Sequence, residues 1–218
     1  MSRPRRLRNR RLLAVTTVLL LAFPGARGAD VAQSPLYLTQ SVTPLVLLSL
    51  SVDHQLFKKA YSDFSDIDDD GQVETTYDDS YDYYGYFYST KCYDYDSGNG
   101  RFEPNGNSPA GGNGHTCAGA QWSGNFLNWA TMTRIDIVRK VFYGGKRAVD
   151  AGDTVLERAL LPTDVHAFAK VFSSADMQDY TPYTDATLSF CNTTLASGDS
   201  QDVDTSANPP LVRVAAGS

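Results

Sequence analysis

The chain has 218 residues, 25 Asp and Glu against 19 Lys and Arg, three cysteines and 13 tyrosines, with a formal net charge of −6. Seven of the basic residues and none of the acidic ones lie in residues 1–28, so the remainder carries 12 cations against 25 carboxylates, a net charge of −13. So acidic a remainder excludes a nucleic-acid binder, whose affinity rests on Lys and Arg neutralising phosphates, and its roughly 190 residues are enough for one core.

The N-terminus reads as an address. Arg3, Arg5, Arg6, Arg8, Arg10 and Arg11 precede an apolar run from Leu12 to Phe23 and then the small residues of Ala26-Arg27-Gly28. That order predicts a signal peptide over residues 1–28, cut near Gly28 or Ala29, with ordinary secretion fitting better than the twin-arginine route. The apolar run is short for a membrane span, so the cleaved chain is not expected to be an integral membrane protein. In an oxidising compartment three cysteines allow at most one internal pair. Cys92 with Cys117 is the natural one, closing a Gly- and Asn-rich loop, and it leaves Cys191 over.

Ser34 to Gln40 and the near-continuous apolar run from Leu45 to Val52 read as strands, the second as a central strand covered on both faces, with Pro44 just before it. Asp53 and His54 would stand at its carboxyl end, where open α/β sheets place ligands. A short helix from Gln55 to Tyr61 leads to Asp66-Ile67-Asp68-Asp69-Asp70-Gly71. Alternate carboxylates before a glycine form the first half of a calcium loop, because a hard cation takes several oxygens and the glycine permits the turn that points them inward. Asp66, Asp68 and Asp70 take positions 1, 3 and 5, Gln72 lends its carbonyl, and Glu74 stands at position 9. The bidentate Glu of position 12 is replaced by Tyr77. Asp66, Asp68, Asp70, Gln72 and Glu74 are therefore the candidate calcium ligands, with Asp78 and Asp79 as further completing oxygens.

Nine aromatic residues between Tyr77 and Tyr95 alternate with aspartates. Tyr84 to Tyr88 is expected to be a strand, with Gly85 marking a bulge or a close backbone approach. The rings are read as packing over the core with their hydroxyls in water, against the alternative of a glycan or protein contact face. Gly98 to Gly119 is a long surface loop. One helix is predicted from Asn125 to Tyr143, capped by Ser123 or Asn125 and stopped by Gly144-Gly145. Its apolar half holds Phe126, Leu127, Ala130, Ile135, Ile137, Val138, Val141 and Phe142, and its polar half holds Asn128, Asp136, Arg139 and Lys140. Arg134, in the apolar half, is read as keeping its head in water rather than pairing with a buried carboxylate such as Asp53. A second helix is predicted from Thr154, spaced from Glu157 as in a capping box, to Pro162. Leu188, Phe190 and Leu211 to Val214 mark short strands.

No catalytic pattern is present. His54, His115 and His166 lack zinc spacing, and there is neither a nucleophile elbow nor a phosphate-cradling glycine loop. Asn192-Thr193-Thr194 is a weak glycosylation match. The blocks Ala60-Tyr61, Asp66 to Gly71, Tyr83-Tyr84-Gly85-Tyr86-Phe87, Lys91-Cys92-Tyr93, Trp122 to Asn128, Met132 to Asp136, Arg139 to Gly145 and Thr154 to Arg158 come in an order that resembles the N-terminal region of the PilC/PilY family. These are large type IV pilus biogenesis and tip-adhesin proteins, and the resemblance covers about Val31 to Val214.

The resemblance implies an α/β fold with a von Willebrand factor A-like core, incomplete in this chain and interrupted by the Tyr- and Asp-rich segment. It also implies a C-terminal β-propeller that residues 29–218 lack, which makes the chain a truncated N-terminal portion, with Cys191 pairing in the missing part. It implies export to the periplasm, outer membrane or pilus tip, a non-enzymatic role in pilus assembly and adhesion, and minor pilins and a host or abiotic surface as partners. Where many relatives have Asp-x-Ser-x-Ser, this chain has Asp53-His54-Gln55-Leu56-Phe57, without the serines of that metal motif. The competing reading is a self-sufficient secreted calcium-binding or glycan-binding module; a hydrolase using paired carboxylates ranks last, since no pair stands at working spacing.

Overall fold

The computed structural model describes residues 46–105, 113–162, 164–194 and 211–218. The signal segment and the Ser34 to Gln40 strand lie outside these residues. Leu50–Ser218 forms one compact unit, distinct from Met1–Ser49. In chain order the regular elements are β1 (Cys92–Asp96), β2 (Arg101–Pro104), β3 (Trp122–Ser123), α1 (Gly124–Thr131), α2 (Arg134–Tyr143), β4 (Arg147–Ala151), β5 (Asp153–Leu156), β6 (Phe168–Ser173), β7 (Thr187–Thr193) and β8 (Leu211–Ala216). They form three antiparallel sheets, ordered β2-β1-β3, β4-β5 and β6-β7-β8.

The fold is thus a small mixed α/β arrangement, and the described residues contain no parallel pair. The Leu45 to Val52 run is not a buried central strand. Residues 46–53 have no regular structure, and Leu50 and Val52 are 54% and 67% exposed. An apolar run becomes a central strand only where neighbouring strands pair with it on both sides, and every strand of the unit pairs elsewhere.

The unit is built around α1, all eight residues of which are buried. A helix enclosed on every side needs apolar contact or satisfied polar groups all round. On one side Phe126 lies 5.1 Å, ring to ring, from both Phe172 and Phe190 of the β6-β7-β8 sheet. Alternation brings Leu188, Phe190 and Asn192 of β7 to that inner face, and β6 was missed in the sequence because its alternation, Phe168-Ala169-Lys170-Val171-Phe172, has a lysine at an inward position. On the other side α1 meets the tyrosine run through two amides. Asn125 Oδ1 accepts from Tyr83 N and its Nδ2 donates to Tyr81 O; Asn128 Oδ1 accepts from Phe87 N and its Nδ2 donates to Tyr83 O and Phe87 O.

These bonds explain why Tyr84 to Tyr88 is irregular rather than a strand: its backbone is paired with side chains, Phe87 with Asn128, Tyr86 N with Met132 Sδ, Tyr88 N with Tyr93 OH and Tyr84 O with Tyr61 OH. Gly85 does mark a close approach, since a Cβ there would stand 2.2 Å from Asn128 Oδ1. Asn128 and Asp136, assigned to the polar face of the helix, are buried.

The single predicted helix is two. Met132 and Thr133 are extended because residues 132–134 pair with 58–60, through Ala60 N to Met132 O and Arg134 N to Lys58 O. The same pairing cuts the helix expected from Gln55 to Tyr61 down to a 3₁₀ turn, His54–Phe57, which Asp53 caps. Thr133 then caps α2 with a capping box to Asp136, a Thr-x-x-Asp signal that is present in the sequence. Arg134 is exposed, with its head in water. The Thr154 box does not form. Asp153–Leu156 pairs with Arg147–Ala151 across Gly152, whose φ of +67° makes the turn.

Candidate functional site

The acidic loop closes on itself. Glu74 N donates to Ser65 O, and Ser65 and Glu74 form a short antiparallel bridge at its base. Asp69 and Gly71 turn the chain with left-handed φ values of 63° and 88°, a conformation that a glycine adopts freely and an aspartate tolerates. Within the turn Asp66 accepts from Asp70 N and Gly71 N, Asp68 from Asp70 N, and Asp70 from Gln72 N. Glu74 reaches across to accept from Ile67 N.

The outcome is that one carboxylate oxygen from each of Asp66, Asp68, Asp70 and Glu74 lies within 4.8 Å of the others, Glu74 being part-buried and the three aspartates exposed. Gln72 is exposed on the same turn. A hard cation with six to eight oxygen ligands suits this donor set, and four converging carboxylates repel one another in its absence. The tyrosine at the twelfth position is not a ligand position at all. Tyr77 is in the core, its hydroxyl accepting from Asn125 Nδ2 at 3.0 Å. Asp78 and Asp79 lie apart from the cluster: Asp78 accepts from Ser80, and Asp79 faces His115.

Sequence reading missed a second charged group beside this loop. Lys170, on β6, has a fully buried ammonium that donates to Asp63, which also pairs with Lys59. It stands 4.3 Å over the Trp129 ring, and burial pushes its pKa down to about 8. Asp63 thereby ties the segment entering the acidic loop to the central sheet. Whereas Asp63 is part-buried, Asp136 is a fully buried carboxylate. It accepts from Thr133 and from Ala159 N at 2.8 Å, and desolvation raises its pKa.

Of the histidines, His54 and His166 have ring centroids 6.1 Å apart while His115 packs against Asp79 and Asp82. Asn192, in the glycosylation match, is fully buried, donating to Ala130 O and accepting from Arg158. Cys92 and Cys117 are joined in a disulfide, and Cys191 is a free thiol on β7.

The hydroxyls of the core tyrosines are not left in water as expected. Tyr83 OH accepts from Asp78 N and Tyr93 OH from Tyr88 N, and burial raises the pKa of both phenols. Tyr77, Tyr83 and Tyr93 belong to the core, whereas Tyr84, Tyr88 and Tyr95 keep large exposed faces. A cleft of about 1220 Å³ is lined by rings including Tyr86, Tyr95, Phe102, Trp122 and Tyr183. Among the described residues no helix is long and apolar enough to cross a membrane.

Comparison with known proteins matches residues 74–215 to the family described as PilY1 homolog, small alpha/beta domain. Two proteins of Xylella fastidiosa strain Temecula1, both named type IV pilus biogenesis factor PilY1 homolog, are similar to the chain. One is 40% identical over 143 residues, covering 62% of this chain and 9% of the relative. The other is 31% identical over 158 residues, covering 69% of this chain and 12% of the relative. No solved structure matches. The family match includes α1, both asparagines that fasten the tyrosine run to it, and all eight strands apart from the last residue of β8, and the chain therefore belongs to the PilY1 homolog family.

Proposed function

We propose that this chain is a module of an exported type IV pilus assembly and adhesion factor, non-enzymatic, working at the periplasm, outer membrane or pilus tip. The observation that carries this reading is the family match over residues 74–215, together with relatives named as pilus biogenesis factors. The matched segment spans about a tenth of each relative's length. Assembly and adhesion, with minor pilins and a host or abiotic surface as partners, are accordingly read as work of a longer protein to which this module contributes. The small α/β class of the matched domain supports the coarser part of the fold reading, of which a von Willebrand factor A-like core, incomplete in this chain, is the finer part. A structural role accords with the buried charges, since Lys170, Asp63 and Asp136 each bridge separate segments.

The test is a chimera in which residues 74–215 replace the matching segment of one Xylella relative. Surface pili and twitching motility should be kept. Loss of both, with the chimera exported and folded, would contradict the reading.

Asp66, Asp68, Asp70 and Glu74, with the Gln72 carbonyl, would hold calcium, which supplies positive charge to four mutually repelling carboxylates and fixes the loop beside Asp63. A ligand that binds only the folded chain at a hundred times its dissociation constant adds about 2.7 kcal/mol. Millimolar calcium is therefore expected to raise the melting temperature by several degrees, a chelator to reverse this, and Asp66→Asn with Asp70→Asn to abolish the response. A melting curve indifferent to calcium in the unaltered chain would remove the metal from the account.

A further inference from the structure

The side chain of Lys170 has no exposed surface, and its ammonium lies over the ring of Trp129, a core residue packed on Phe126. Its nitrogen stands 2.5 Å from Asp63 Oδ1, the protein acceptor it meets among the described residues. Asp63 Cγ is one carbon–oxygen bond beyond that oxygen, so the nitrogen and the carboxyl carbon are about 3.7 Å apart or closer. Both backbones are held. Lys170 is in β6 opposite Phe190 of β7, and Asp63 lies between two short bridges, Lys59 with Thr133 and Ser65 with Glu74. A nucleophilic atom and an electrophilic carbon fixed at that distance are close to the geometry of attack.

An ion pair is a costly occupant of such a place, because both charges give up hydration that their attraction only partly returns. Burial lowers the Lys170 pKa to about 8, with Asp63 opposing the fall and Lys59 adding to it. A share of the amine therefore carries a free lone pair near neutral pH. Lys59 holds the far oxygen of the same carboxyl group, its Nζ lying 2.8 Å from Asp63 Oδ2. A cation there stabilises the negative charge that an oxygen gains when its carbon is attacked. It also favours the carboxylate over the carboxylic acid, so the proton that Asp63 needs must come from Lys170 within the pair. A buried amine, a carboxyl carbon beside it and a cation on the far oxygen are the groups that an amide condensation requires.

We propose that Lys170 and Asp63 condense to an isopeptide bond, a covalent link between β6 and the segment that enters the acidic loop. Lys170 passes one proton to Asp63 Oδ1, which leaves an amine and a carboxylic acid. The amine lone pair adds to Asp63 Cγ, and Oδ2 takes the negative charge beside the Lys59 ammonium. The tetrahedral carbon then expels Oδ1 as water, with the proton already on it and a second one from the attacking nitrogen. One carbon–nitrogen bond forms, one carbon–oxygen bond breaks, nothing is oxidised or reduced, and Lys59 ends as it began. Two buried charges become one neutral amide, which the aromatic surroundings hold at less cost. The link closes the chain across 107 residues.

The test is peptide mapping by mass spectrometry on the full, unaltered chain, shown to be folded by a cooperative melt and then reduced and digested with trypsin. Trypsin cuts after Lys and Arg but not after an acylated lysine. The link would therefore join peptide 60–91, which holds Asp63, to an uncut peptide 159–213, which holds Lys170. The expected result is this branched peptide in most chains, lighter by one water than its two parts together. Lys170→Met keeps a long side chain without the amine, and should yield peptide 60–91 unlinked. Release of 60–91 and 159–170 as separate peptides of full mass from the folded, unaltered chain would overturn the proposal and leave an ion pair. A loss of water in a chain that trypsin still cuts after Lys170 would overturn it too, since that loss would lie elsewhere, as in a ring closure at Asp70-Gly71.

Discussion

Asn128→Leu is expected to destabilise the chain by about 4 kcal/mol, lowering the melting temperature by about 10 °C. Leucine fills a similar volume, so the loss is one of hydrogen bonds. Asn128, itself fully buried, donates to Tyr83 O and Phe87 O and accepts from Phe87 N, the two bonds to Phe87 being part-buried. A buried group deprived of its partner costs about 1–3 kcal/mol, and three backbone groups are deprived at once. No strand ladder waits to take them, since residues 82–88 lie in no sheet. The side chain also rests against Gly85, where even a Cβ would meet Asn128 Oδ1 at 2.2 Å, so a branched methyl pair has little room. For a unit of this size each kcal/mol moves the transition by about 2–4 °C. The comparison is Asn105→Leu, which removes a surface bond to Asp94 and should shift stability by about 0.5 kcal/mol or less. Thermal unfolding of the two variants decides the matter: an Asn128→Leu chain melting with the unaltered one would mean that the amides do not fasten the tyrosine run.

That dependence also marks where the sequence stops being legible. The acidic loop could be read because its signal is local: carboxylates at alternate positions and a glycine dictate their own turn, and Asp66, Asp68, Asp70 and Glu74 converge within the loop they form. Parts of strands β7 and β8 showed as short apolar segments, Leu188 with Phe190 and Leu211 to Val214. The tyrosine run was misread because its conformation is set by residues about 40 positions away, Asn125 and Asn128, and asparagine in a helix looks like a solvated face until a buried backbone is found opposite it. Lys170 hid β6 in the same manner, a cation made tolerable inside by Asp63, 107 residues distant. The break between α1 and α2 is a different case. Thr133-Arg134-Ile135-Asp136 carried the cap in plain form, but uninterrupted apolar periodicity on both sides outweighed it.

Removing the disulfide by Cys92→Ser with Cys117→Ser should cost about 3.5 kcal/mol and open the neighbouring loop first. The cysteines are 25 residues apart, and releasing a loop of that length to the unfolded chain carries about that much entropy. The native contacts left behind do not replace the link. Cys117 N donates to Asp179 O at 2.7 Å and His115 Nδ1 meets Asp79 O at 2.7 Å, and single hydrogen bonds contribute about 1 kcal/mol each. Both residues must be changed together, since a lone Cys92 or Cys117 thiol would have the free Cys191 as a new partner and the measurement would report a rearranged chain. The expected results are a melting temperature lower by about 10 °C and protease cleavage between residues 113 and 119 before any cut in α1 or in the β6-β7-β8 sheet. Equal melting temperatures would show that the segment is held by its packing alone. Cleavage starting in α1 would show instead that the disulfide secures the core itself, which is plausible on physical grounds only if β1, whose first residue is Cys92 and which pairs with β3 just ahead of α1, depends on the link for its register.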